Sequence, residues 1–218
     1  MGVPNALLSR TLRREAHFSE VAKRIARPSA RSSKRLVLAI RREDGRHVRV
    51  RSFSHTGITV SNFNKAVQFY WDVFGCPLVG VANTPPERVR SFFRVDGAEP
   101  QCKIGWIRVP GGAVLELFEF QPQLPPRAVP WNGVGLTHLS FNVRNLHRWY
   151  AYLQRKGVEC VSAPERSPRG HSFFFVKDFD GNLIELMDLG YMYYVLNWLG
   201  PLGGWLFRRG MYRQYYEA

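Results

Sequence analysis

Two stretches of this chain are written on one plan. The first runs from His55 to Phe120: HTGITVSNF, a helix-like run, a turn-rich link, then VLELFEF. The second runs from Thr137 to Asp188: THLSFNV, a helix-like run, a Gly/Pro-rich link, then HSFFFVKDFDGNLIELMD. An internal repeat constrains the fold more than any single motif. Each copy is one supersecondary unit that must bury its apolar face against a neighbour. Each copy also opens with a histidine in a strand-like piece and closes with a glutamate in another. His55, Glu116, His138 and Glu185 thereby stand at matched places, one potential metal ligand near each end of both copies.

Periodicity within the copies reads as β-α-β-β-β. Ile58 and Val60 alternate with Thr59 and Ser61, as in a half-buried strand. Asn62 suits a helix N-cap. Ala66, Val67, Phe69, Tyr70, Val73 and Phe74 then recur at helical spacing, and Gly75 closes the helix. Leu78 to Val81, Ser91 to Val95, Lys103 to Val109 and Val114 to Phe120 are expected to be strands, with Pro110-Gly111-Gly112 as a turn. The second copy repeats this with strands at Leu139 to Val143, Cys160 to Ser162, His171 to Lys177 and Leu183 to Met187. Its helix is expected from Leu146 to Lys156, closed by Gly157, and Asp180-Gly181 makes its last turn. The expected organisation is α+β, with paired βαβββ modules at 53–121 and 136–189, joined by a Pro-rich linker at 122–135.

The flanks differ in character. Residues 1–34 are rich in Arg and Ser, which fits an organellar transit peptide and equally a disordered extension. Residues 35–52 alternate around Asp44-Gly45 as a hairpin or linker. Residues 190–218 are dense in aromatics and are expected to be partly helical. They would pack on the domain or on a second subunit, or, in a sharper reading, touch a membrane surface through Arg208, Arg209 and Arg213. The chain has no run of about 18 apolar residues that would cross a bilayer.

The net charge of +14 invites a nucleic-acid reading. Its distribution opposes one: residues 1–51 hold 14 Lys+Arg against 4 Asp+Glu, so 14 − 4 = +10 of the total lies in the leader. No nucleic-acid partner is expected. Cys76, Cys102 and Cys160 show no CxxC spacing, so neither a disulfide framework nor a cysteine zinc site is suggested. A reducing compartment, and so a cytoplasmic location, is expected; an organelle is the alternative if 1–34 is a transit peptide.

The pieces His55-Thr-Gly-Ile-Thr-Val-Ser-Asn, AVQFYWDVFG, VLELFEF, THLSFNV and KDFDGNLIEL together resemble the vicinal oxygen chelate superfamily. That family includes glyoxalase I, methylmalonyl-CoA epimerase, extradiol dioxygenases and bleomycin-resistance proteins. The resemblance covers roughly residues 53–188. It implies two βαβββ modules whose sheets curl around one metal, with the ligand positions falling on His55, Glu116, His138 and Glu185. It also implies a homodimer, and leaves open whether modules pair within a chain or between subunits. The residue types agree: imidazole and carboxylate suit a divalent Zn, Ni, Co, Mn or Fe ion. Glu119 competes with Glu116 in LELFEF but points to the other strand face.

By this resemblance the expected function is a metal-dependent isomerase or lyase. It would abstract a proton next to a metal-bound carbonyl, with Glu116 or Glu185 as the base. The substrate would be a small molecule with a carbonyl or vicinal oxygens. His171 is a candidate for substrate contact, and Arg166 for binding an anionic group. Thr59 and Phe120 stand where bacterial glyoxalase I has an Arg and an Asn that hold glutathione, which implies a different, more apolar substrate. One alternative is an Fe(II) extradiol-type dioxygenase. Glu116 would then be a surplus ligand, and Phe175 stands where that chemistry has a Tyr. The other alternative is a non-catalytic binding protein of the bleomycin-resistance type, which the four retained ligands oppose.

Overall fold

A computed structural model describes residues 50–125, 130–168 and 170–216. The leader and the turn at Asp44-Gly45 lie outside the described residues, as do four linker positions and Arg169.

The repeat builds two four-stranded mixed sheets, each backed by a helix, in an α+β arrangement. In the first, β1 (His55–Thr59) leads into α1 (Phe63–Phe74), then β2 (Leu78–Thr84), β3 (Gln101–Arg108) and β4 (Val114–Gln121). The spatial order is β1-β4-β3-β2, with β1 parallel to β4. Asn62 caps α1 by accepting the Lys65 N–H at 2.8 Å, and Gly75 ends it in the left-handed conformation at φ 66°. A helical turn, α2 (Pro86–Arg88), continues as a π turn through Val89–Phe93.

The expected strand at Ser91 to Val95 is therefore helical. Pro86 starts the turn, Val89 is buried, and the Phe93 ring packs against Phe118 and Phe120 at 5.7 and 5.3 Å. Arg90 fixes the exit by donating to the carbonyls of Gly97 and Ala98. Five residues with two adjacent rings carry too little periodicity to separate strand from helix.

The second sheet comprises β5 (Leu139–Asn142), β6 (Glu165–Arg166), β7 (Ser172–Lys177) and β8 (Leu183–Asp188), in the order β5-β8-β7-β6. Its helix is α3 (Leu146–Arg155), capped by Asn145. Cys160 to Ser162, expected as a strand, supplies only a single bridge from Cys160 to Val176. Pro164 then interposes a residue without an N–H, and two-residue pairing resumes at Glu165.

Burial alternates along the strands and divides each sheet into two faces. Leu115 and Leu117 of β4 and Ile184 and Leu186 of β8 point inward with Tyr70, Leu153 and Phe174, all in one cluster spanning both modules. Gly105 lets the Phe63 ring lie flat on β3, since a Cβ there would stand 2.5 Å from that ring. The joint between modules lies on this same helix side. Phe74 of α1 packs on Phe141 and Trp149 at 5.0 and 6.1 Å. The Tyr70 hydroxyl donates to Asp178 at 3.2 Å, and the Tyr152 hydroxyl donates to the Asp72 carbonyl at 2.9 Å. Glu116 and Glu185 stand on the opposite sheet faces, away from this core.

After β8 the tail forms α4 (Met192–Tyr194), a π turn over Val195–Leu199, α5 (Gly200–Arg209) and a 3-10 turn at Arg213–Tyr215. None of the residues in these elements is buried, so the domain does not cover the tail's apolar side chains. Among the described residues no helix is long and apolar enough to cross a membrane.

Candidate metal centre

Each module brings its own histidine and glutamate together. Strand β1 lies parallel beside β4, which places Gly57 next to Glu116 and His55 two residues before it on the same face. His55 Nε2 stands 3.3 Å from Glu116 Oε2. In the second module Ser140 lies beside Glu185 in the same parallel pairing, and His138 Nε2 stands 3.5 Å from Glu185 Oε2. The sequence repeat is thus a repeat of geometry.

The Nδ1 of each histidine and one oxygen of each carboxylate have a further partner. The hydroxyl before each histidine meets its Nδ1: Ser54 Oγ at 3.1 Å from His55 and Thr137 Oγ1 at 2.9 Å from His138. This leaves Nε2 for a ligand, the arrangement in which an outer partner sets tautomer and ring orientation. The carboxylates are tied differently. Glu116 Oε1 accepts from the Trp106 indole at 2.7 Å, whereas Glu185 Oε2 accepts from the Ser140 hydroxyl at 2.7 Å. At the position equivalent to Ser140, Gly57 has no side chain, and a Cβ there would lie 2.9 Å from the Phe118 ring. An indole from the neighbouring strand replaces the hydroxyl.

The separations are longer than a well-formed charge-assisted hydrogen bond and compatible with two ligands of one ion. A well-formed charge-assisted N–H···O⁻ bond spans about 2.7–2.9 Å. Two ligands sharing one ion at about 2.1 Å are about 3.0 Å apart on an octahedral edge and about 3.4 Å on a tetrahedral one. The observed 3.3 and 3.5 Å match the ligand edges. Neither carboxylate is open to bulk water: the side chains of Glu116 and Glu185 are 14% and 9% exposed.

The four groups form two couples rather than one quartet. Among the described residues no three His, Cys, Asp or Glu side chains come close enough together to hold one ion. The reason is the shared core, which joins the modules through their helix sides and leaves each His–Glu couple on an outer face.

Glu119 turns the other way, accepting the Phe63 N–H at the start of α1 at 2.9 Å. His171 connects to the second couple through a run of rings: Phe173 at 6.2 Å, then Phe175 at 5.9 Å, then His138 at 5.5 Å. Arg166 does not join them. It pairs with Ser172 and lines a cleft of about 320 Å³ with Asn145, His147 and Asp188, none of them a ligand candidate. Trp131 also stacks near His138 at 5.6 Å and on Phe175 at 5.0 Å.

Sequence reasoning passed over Trp106, Ser140, Ser54 and Thr137. A signal was present for the first. A hairpin centred on Gly111 pairs residue 106 with 116, so Trp106 had to sit opposite Glu116. The cysteines are not part of the centre. Burial pushes the Cys102 thiol up to about 11 and raises Cys76 and Cys160 as well, so all three remain protonated at neutral pH.

A family model described as Glyoxalase/Bleomycin resistance protein/Dioxygenase superfamily matches residues 52–186. Among curated proteins, the chain is 22% identical over 139 residues to "Metallothiol transferase FosB" of Staphylococcus epidermidis, covering 63% of this chain and 83% of that protein. It is 26% identical over 134 residues to "Uncharacterized protein YaeR" of Escherichia coli strain K12, covering 62% and 93%. Among solved structures, a glyoxalase family protein from Bacillus cereus superposes with a TM-score of 0.57 at 21% identity, covering 65% of this chain and 95% of that one.

Proposed function

This chain belongs to the Glyoxalase/Bleomycin resistance protein/Dioxygenase superfamily, and from that premise we propose that it is a divalent-metal isomerase or lyase whose centre is completed by a second copy of itself. His55 and Glu116 of one copy would hold the ion together with His138 and Glu185 of the other. The observation that carries this reading is the pair of matched His–Glu couples at ligand-edge spacing, each on an outer sheet face. Half a donor set does not saturate Zn, Ni, Co, Mn or Fe, which take four or more ligands. Within one chain the couples lie on the sheet faces away from the core that joins the modules.

When bound, the ion would polarise a carbonyl or hydroxyl oxygen of a small substrate. The protein's own part is to position that substrate and move a proton. Glu116 and Glu185 each keep one oxygen fixed by a neutral donor, so either can turn its other oxygen to a C–H proton without losing its place. Aromatic rings lie near each couple: Phe93, Phe118 and Phe120 in the first module, and Trp131, Phe173 and Phe175 in the second. Such rings favour a substrate with an apolar body. His171, at the far end of the ring run, would meet the substrate's distal part. Phe175 packs edge-on to His138, so the phenol donor of extradiol chemistry has no counterpart there.

The test is subunit complementation. A chain carrying His55→Ala and Glu116→Gln, and another carrying His138→Ala and Glu185→Gln, should each bind no metal as pure dimers. Mixed dimers should regain one ion, because one of their two composite sites is intact. Restored metal should return solvent-deuterium exchange into 2-oxo acids or acyl-CoA thioesters. If mixing restores nothing, the shared centre is wrong. If metal returns and a small thiol is consumed in place of exchange, the chemistry is closer to what the name metallothiol transferase describes.

A further inference from the structure

Outside the centre, the least expected feature is the C-terminal segment. Residues 189–218 carry three arginines, nine aromatics and a single acidic residue, Glu217. Its helical run leaves large apolar side chains in the open, with Trp198 at 80% exposure and Leu196, Leu199, Leu202, Leu206 and Phe207 all about half exposed. Large apolar side chains exposed together on one short segment mark an interaction site. The positive charge lies at one end. Arg208, Arg209 and Arg213, with Tyr216, line a cleft of about 480 Å³. The Arg209 guanidinium lies 4.1 Å over the Trp205 ring and that of Arg208 lies 5.9 Å over Tyr216.

We propose that residues 189–216 seat this protein on an anionic lipid surface, with Arg208, Arg209 and Arg213 gathering phosphate headgroups and the neighbouring aromatic and leucine side chains entering the interface. Charge complementarity selects this occupant over a second copy. Three guanidiniums facing the same three would repel, whereas a phosphate layer attracts them. The side-chain chemistry agrees: Trp and Tyr rings, apolar in body and polar at the tip, concentrate at the headgroup level. The run also lacks a regular packing ridge, because a π turn, Gly200-Pro201 and Gly203-Gly204 interrupt it. It is too short and broken to span and fits lying in the interface plane.

The experiment uses the full chain in vesicle flotation, comparing phosphatidylcholine alone with phosphatidylcholine mixed with phosphatidylglycerol. The wild type should float with the mixed vesicles only, and raised salt should release it. Replacing Arg208, Arg209 and Arg213 by Gln should weaken partition about a hundredfold, from about fivefold per basic residue. A second variant, Trp198→Ser with Leu202→Ser, should leave only weak, salt-labile binding. Circular dichroism of both variants should match the wild type. A wild type that never floats overturns the proposal. So do tail variants that float like the wild type, which would locate binding elsewhere in the basic chain. Tail variants that turn a dimer into a monomer while vesicle binding stays unchanged would also overturn it, assigning the segment to a second copy.

Discussion

Trp106 and Glu116 face each other across the β3–β4 hairpin, and the indole N–H holds one carboxylate oxygen at 2.7 Å while the other oxygen looks toward His55. Removing that donor should free the carboxylate to rotate. Trp106→Phe should lower metal affinity about 10- to 100-fold with little change in unfolding temperature, measured by competition with a chromophoric chelator. Unchanged affinity would show that the indole only fills space.

The second couple relies on hydroxyls. Ser140→Ala removes the donor to Glu185, and Thr137→Val removes the partner of His138 Nδ1. Each should weaken metal binding by a similar 10- to 100-fold. Neither should add to Glu185→Gln, which has already lost the site. Additive losses in the double variants would mean that the hydroxyls act elsewhere.

Metal content should follow the pairing of couples. After chelation and reloading, elemental analysis should return one ion per chain at saturation. The chelated protein should stay folded, since the core lies on the helix side of both sheets. A chain that unfolds on chelation would make the ion structural.

Tyr70 sets an alkaline limit. Burial first, and then the Asp178 carboxylate, hold its phenol well above the ordinary value near 10. The folded state keeps this proton after the unfolded chain has lost it. Stability is therefore intact below the ordinary tyrosine pKa and falls as pH rises past it. Urea midpoints taken between about pH 8 and about pH 11 should decline, and Tyr70→Phe should flatten the decline. At neutral pH that variant should cost about 1 kcal/mol for the lost hydrogen bond.

Gly105 leaves room on β3 for the ring of Phe63, the first residue of α1. Gly105→Ala would set a methyl 2.5 Å from Phe63. Unfolding free energy should drop by about 1–3 kcal/mol, the usual range for overpacking. A variant as stable as the wild type would show that Phe63 has another place to go.

How much of this was legible in the residues depends on range. The two βαβββ units were readable because a repeat states the same periodicity twice and Asn62 and Gly75 punctuate the first helix. The Ser91 to Val95 segment was not, since its helix depends on Phe93 reaching Phe118 and Phe120 in a later strand. Which groups form a couple followed from strand alternation and hairpin register. Which face joins the modules did not, because large apolar side chains line both faces: Leu115 and Leu117 on one side of β4, Phe118 and Phe120 on the other. The residues therefore left open whether the four ligands meet within one chain or between two copies, and the chain places them two and two. Arg166 shows the same blindness: its charge was visible, but the side of β6 it occupies was fixed only by pairing with Ser172.

The substitution of an indole for a hydroxyl between the two modules leaves them similar in outline and unequal in detail. A prochiral molecule lodged between a first module and a second would meet a tryptophan-steadied acid on one flank and a serine-steadied acid on the other. The two flanks would not be interchangeable, so such a molecule would have one preferred way round between them, whereas two identical halves would accept it equally either way.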